Sequence, residues 1–191
     1  MSELVERVEL IERMIEEGRR TIERWGWAYV MWGVGHLLGV LATVTLAPER
    51  IGIAWGVLMS ACGITMGLVS RRMGRKQQVE TQLNRALGSI WWTFGLMIVF
   101  LLFSPPTQTT WSGWYAVFSA AYGGAFFASG HVLKWAPLKM NGLLWWAAGI
   151  AMKFLDGSAV LALFAVMALV GEVGFGVYAM AHEKKMMARG G

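Results

Sequence analysis

Two ionisable residues, His36 and Glu172, sit in stretches otherwise apolar enough for lipid, and an ionisable group in such a stretch is by default a candidate functional site. An imidazole and a carboxylate can share a proton near neutrality, bind a cation, or tie two helices together by a hydrogen bond. His36 lies nine residues past the start of the first apolar segment, and Glu172 nine residues before the end of the last. At about 1.5 Å per residue, both stand roughly 13 Å inside the same boundary. Equal depth makes a His36–Glu172 contact feasible. A b-type haem held by His36 and His131 is a weaker idea, because His131 is only about 3 Å inside by the same rise and His182 is interfacial. Haem-based electron transfer therefore ranks third among the readings.

Other chemistry fails on spacing. No H-E-x-x-H or G-x-S-x-G string occurs, and Ser129-Gly130-His131 places its Ser and His too close along one helix for a dyad. The string from Gly171 to Gly176 follows no strand and lies in an apolar segment, so its glycines read as packing residues. The thirteen Met are scattered, and Cys62 is the one cysteine, which excludes an internal disulfide and a Cys-based metal cluster. No catalytic residue, metal ligand or cofactor is expected, and the chain reads as a non-enzyme.

The elements that must position His36 and Glu172 follow from composition. The 191 residues are 56% hydrophobic and 15% charged, with a mean hydropathy of +0.49, whereas soluble domains average about 25% charged. Bilayer is the solvent that fits. Six apolar segments, at 27–46, 51–70, 87–103, 114–133, 138–155 and 158–181, approach the roughly 20 residues needed to span it. Residues 1–26 precede them as a cytoplasmic helix, and 182–191 follow as a cytoplasmic tail. The expected fold is all-α: six transmembrane helices arranged as three hairpins, behind an amphipathic N-terminal helix. Leu4, Val8, Ile11, Ile15, Gly18 and Ile22 form a heptad seam along that helix. The seam packs on the bilayer or on the protein's own loops, or it joins a second copy or another protein through residues 3–24. Seven Glu and five Arg in the first 24 residues do not suit a cleavable signal or a mitochondrial presequence.

Charge sets the orientation. Fifteen Lys and Arg fall on the side of the N-terminal arm, against Arg50 and Lys153 on the other, so both termini are expected in the cytoplasm. The same asymmetry accounts for the net charge of +5 without a nucleic-acid partner. Arg71, Arg72, Arg75 and Lys76 form a basic loop that could dock on anionic lipid or on a partner.

Small residues mark expected helix contacts: Gly35 with Gly39, Gly63 with Gly67, Gly124 on a stripe with Ala116, Ala120 and Ala128, and Gly176 on a stripe with Ala168 and Glu172. Trp32-Gly33, Trp91-Trp92-Thr93-Phe94-Gly95 and Trp145-Trp146-Ala147-Ala148-Gly149 open three outgoing spans, which suggests a threefold hairpin repeat.

The opening stretch, Met14-Ile15-Glu16-Glu17-Gly18-Arg19-Arg20-Thr21-Ile22 followed by aromatics and Trp32-Gly33, resembles that of a loose group of bacterial membrane proteins. Those carry a charged N-terminal helix and five or six spans, and are often encoded beside winged-helix regulators of the PadR type. The resemblance covers about the first 40 residues and transfers no site residue. It implies an inner-membrane, non-enzymatic protein. The leading expectation is a regulatory or partner-binding membrane module, and the alternative is a small proton- or cation-coupled transporter or channel using His36 and Glu172.

Overall fold

The computed structural model describes residues 2–74, 82–103 and 111–189, and these form helices and short turns with no strand. The helices are α1 (Ser2–Arg24), α2 (Gly26–Thr45), α3 (Pro48–Gly74), α4 (Gln82–Phe103), α5 (Trp111–Val132), α6 (Ala136–Met152), α7 (Ser158–Met167) and α8 (Phe175–Arg189), with a π-helical segment, Ala168–Gly174, joining the last two. Local chemistry places the breaks. The helix stops at Trp25, whose carbonyl accepts the Ala28 N–H at 2.8 Å. Pro48 opens α3, where its fixed φ and missing N–H cost nothing, and Gly157, at φ 50°, makes the turn before α7.

Three helical stretches are long and apolar enough to cross a membrane: Gly26–Thr45, Pro48–Arg72 and Ser158–Glu183. A shorter apolar stretch runs over Arg85–Phe100. Ile53 and Ile64 on α3 and Phe100 on α4 are about two-thirds exposed. In water such faces would be aggregation sites, whereas hydrocarbon solvates them without cost.

The chain divides into two compact units, one made of residues 1–22 and 80–160, the other of 23–79 and 161–191. In the first unit, α5 and α6 make the most extensive helix pairing. Glycines set it. A Cβ on Gly142 would stand 2.6 Å from the Phe127 backbone nitrogen, and one on Gly130 the same distance from that of Lys139. The Trp146 indole lies on Gly123 and donates to the Ala120 carbonyl at 2.9 Å. Gly124 was expected on the contact stripe, but no neighbouring atom lies within 4 Å of where its Cβ would be. The glycine in contact is its neighbour, Gly123. α4 joins α5 through aromatic rings, Trp91 on Phe126 and Phe94 on Tyr122.

Two of the expected hairpin pairs pack together, α2 with α3 and α4 with α5, while the last two segments each have another main partner. The main partner of α6 is α5, and that of the π segment and α8 is α2. The reason is the match of small residues across α5 and α6, which permits backbone approach that a span's sequence neighbour does not automatically offer. Two of the Trp/Gly motifs meet different fates. Trp145 is fully buried and stacked on Tyr122 at 4.9 Å, while Trp92 is 73% exposed.

The α1 seam divides as well. Gly18 is buried against Leu83 and Leu133, while Val8 and Ile11 stay more than half exposed. The side chains of Leu4 and Ile22 lie outside the described residues. α5 ends at Lys134, which takes a left-handed φ of 48° where glycine is usual, and the Trp135 N–H closes back on the Gly130 carbonyl at 2.9 Å. Such closure satisfies an otherwise orphaned helix carbonyl. Lys134 thereby lines an open groove of about 740 Å³ with Glu9, Glu12, Arg13, Ile15 and Glu16 of α1.

Candidate functional site

In the second unit, α2 packs against α3 on one side and against the π segment and α8 on the other. Two different glycine sets serve the two faces. Gly35 and Gly39 face α3: a Cβ on Gly35 would lie 2.9 Å from Cys62 Sγ, and one on Gly39 would lie 2.6 Å from the Trp55 ring. Gly26 and Gly33 face the last helix, where a Cβ on Gly33 would stand 2.9 Å from Glu172 Cβ and 3.0 Å from the Ala168 carbonyl. Gly176 completes this face against Gly26 and Val30. At about 100° per residue, position 36 falls between the two glycine stripes. His36 is accordingly positioned to meet both neighbours.

It does so with its whole ring. His36 Nδ1 lies 2.8 Å from Glu172 Oε2, with 3% of His36 and 1% of Glu172 exposed. Around the imidazole stand Trp32, stacked at 6.1 Å and 29°, Trp55, tilted at 6.0 Å, and Phe164, edge-on at 5.7 Å. Trp55 is itself held: its indole rests on Gly39 and its Nε1–H donates to Thr43 Oγ1 at 3.0 Å, while the Thr43 hydroxyl donates to the Gly39 carbonyl at 2.9 Å. The glycine that admits α3 thus also sets the ring facing His36.

Glu172 owes its position to the π segment. Four residues of α-helix advance about 400°, so every fourth side chain drifts about 40° around the axis. The wider π turns remove that drift over Ala168–Gly174, and Ala168, Glu172 and Gly176 all stay directed at α2. Phe175 N–H accordingly reaches the carbonyls of both Val170 and Glu172. Single π turns of this kind recur at functional sites. The second carboxylate oxygen, Glu172 Oε1, is buried and accepts no hydrogen bond from any described residue. A carboxylate oxygen in that position loses its hydration without recovering it.

The remaining sequence candidates fall elsewhere. His131 is exposed beside Phe127 in the first unit, and the His182 ring approaches Tyr178. Among the described residues no three His, Cys, Asp or Glu side chains cluster in a way that could hold a metal. No atom lies within 4 Å of a Cβ built on Gly63 or on Gly67. Arg71 and Arg72 are exposed in the last turn of α3, while Arg75 and Lys76 lie outside the described residues. Gly26, Gly33, Trp55 and Thr43 were not singled out from sequence for this site. The Gly26/Gly33 spacing of seven, two helical turns on one face, is the signal that could have found the first two.

No family model, curated protein or solved structure matches this chain.

Proposed function

We propose that this is a six-span bacterial inner-membrane protein with both termini in the cytoplasm. In this reading it works without enzymatic chemistry, as a regulatory or partner-binding module whose response is set by the His36–Glu172 pair. One observation carries it: an imidazole and a carboxylate, 2.8 Å apart and buried between α2 and the π segment. The charge asymmetry of the loops supports the orientation, and the outward apolar residues of α4, α5 and α6, among them Leu96, Val117 and Ile150, support counting these as spans. In this reading α1 is the docking surface for a second copy or a cytoplasmic partner, which the exposure of Val5, Val8 and Ile11 supports. Isolation from native membranes in mild detergent should recover a stoichiometric partner or oligomer that deleting residues 3–24 removes. A monomer indifferent to that deletion would sink the docking role, and reporter fusions at each loop test the six spans.

A second reading, proton- or cation-coupled transport, is favoured by Glu172 Oε1, which has no donor among the described residues. Vesicles containing the protein should then show an ion flux abolished in Glu172→Gln. Partner binding that depends on the pair, without flux, decides for the regulatory module.

A further inference from the structure

We infer that Glu172 Oε1 is a proton-binding position, at which the His36–Glu172 pair takes up one proton beyond the one it already shares. This rests on the reading of the pair as the responsive element and names its ligand. With one shared proton the pair is an imidazolium and a carboxylate, or their neutral tautomers, and is neutral overall. Oε2 is then occupied by His36 Nδ1, while Oε1 is buried with no donor among the described residues. A second proton, delivered from water, forms an O–H bond at Oε1. Nothing is oxidised or reduced, and the site gains one positive charge.

The surroundings select a proton over other ligands. A hard metal cation needs several oxygen ligands, whereas the His36 ring is surrounded by the rings of Trp32, Trp55 and Phe164. The stacked face of Trp32 stabilises a diffuse positive charge such as an imidazolium. It would equally disfavour the negative state reached by losing the shared proton. The titratable groups facing the pair are few. α3 contributes Cys62, whose Sγ packs against Gly35 beside His36. α2 contributes Tyr29 two helical turns before His36, against Phe175, and α7 and the π segment contribute none besides Glu172 itself.

Infrared difference spectroscopy on the full-length protein in lipid vesicles, between neutral and acidic buffer, tests this. The expected result is a protonated-carboxyl band that shifts in heavy water and disappears in Glu172→Gln. Trp32→Leu should keep the band and weaken proton affinity by about tenfold, the size of one buried cation–π contact. Should Glu172→Gln fail to fold, nitrogen NMR of the wild-type protein, with only three histidines to assign, still reads the site. His36 Nδ1 should stay protonated and change its hydrogen bond across the same titration as the carboxyl band. A band unaffected by Glu172→Gln, or a His36 signal silent through the titration, overturns the inference. So does a midpoint moved by sodium at constant ionic strength, because a metal cation would then be the ligand. These readouts need neither a partner nor a flux. A protonating Glu172 in a protein without a partner would leave this inference standing while removing the regulatory reading.

Discussion

α5 and α6 approach through Gly123, Gly130, Gly142 and Gly149, and α2 meets the last helix through Gly26, Gly33 and Gly176. Both contacts bring backbone onto backbone, and both bury polar side chains. In the first the buried polar groups include Ser119, Ser129 and Asn141, with the Ser119 hydroxyl 3.4 Å from Met152 Sδ. In the second they are an imidazole and a carboxylate. Neutral hydroxyls and amides in a helix pair are adhesive, because they can also be satisfied by helix carbonyls. Removing one partner of a buried imidazole–carboxylate pair leaves the other uncompensated, at a cost of several kcal/mol. The intact pair contributes little net stability that an apolar pair would not, and it lies beside a π segment. Glycine packing is common to the two regions, so it does not distinguish a site from a scaffold. Ionisable chemistry does.

The comparison breaks most visibly if the pair is cut. His36→Ala leaves the Glu172 carboxylate buried alone and should destabilise the second unit by about 3–5 kcal/mol, read by denaturant titration in detergent. The double replacement His36→Leu with Glu172→Met should recover most of that loss while abolishing any proton response. If His36→Ala costs no more than Ser119→Ala, the two regions are equivalent and the site reading is wrong.

Close backbone approach can be tested on both sides at once. Gly142→Ala and Gly33→Ala each force helices apart and should each cost about 1–3 kcal/mol. Only Gly33→Ala should also alter the Glu172 carboxyl band, since its new methyl meets Glu172 Cβ. Equal spectra for the two variants would mean that α2 packing does not set the pair.

Trp55→Phe removes the Nε1–H bond to Thr43 and should cost about 0.5–1.5 kcal/mol, with the ring still beside His36. Smallest of all, Gly63→Ala and Gly67→Ala have open space to fill and should change stability by about 0.5 kcal/mol or less. A larger loss in the membrane than in detergent would show that this face of α3 meets another helix there.

The apolar character of the segments and the depth match between His36 and Glu172 were legible in the sequence. Hydropathy and helical rise are local properties that do not depend on partner choice. Gly35 and Gly39 could be marked as contact residues because a four-residue glycine spacing puts two gaps on one helix face. The face that holds Glu172, formed by Gly26 and Gly33, was missed because its seven-residue spacing is weaker as a pattern. The shift from Gly124 to Gly123 was illegible because adjacent glycines differ only in direction, about 100° around the axis, and direction follows from which helix arrives.

The sequence by itself thus determined that helices would form, that their faces suit lipid, and that one imidazole and one carboxylate could lie at the same level. The tertiary structure alone decided that α6 pairs with α5, that α2 lies between α3 and the last helix, and that the last helix widens into π turns at Glu172. Those outcomes depend on shape complementarity between distant segments, a property of pairs of surfaces that no single segment encodes. They made an equal depth into a 2.8 Å contact and left Glu172 Oε1 buried without a donor among the described residues.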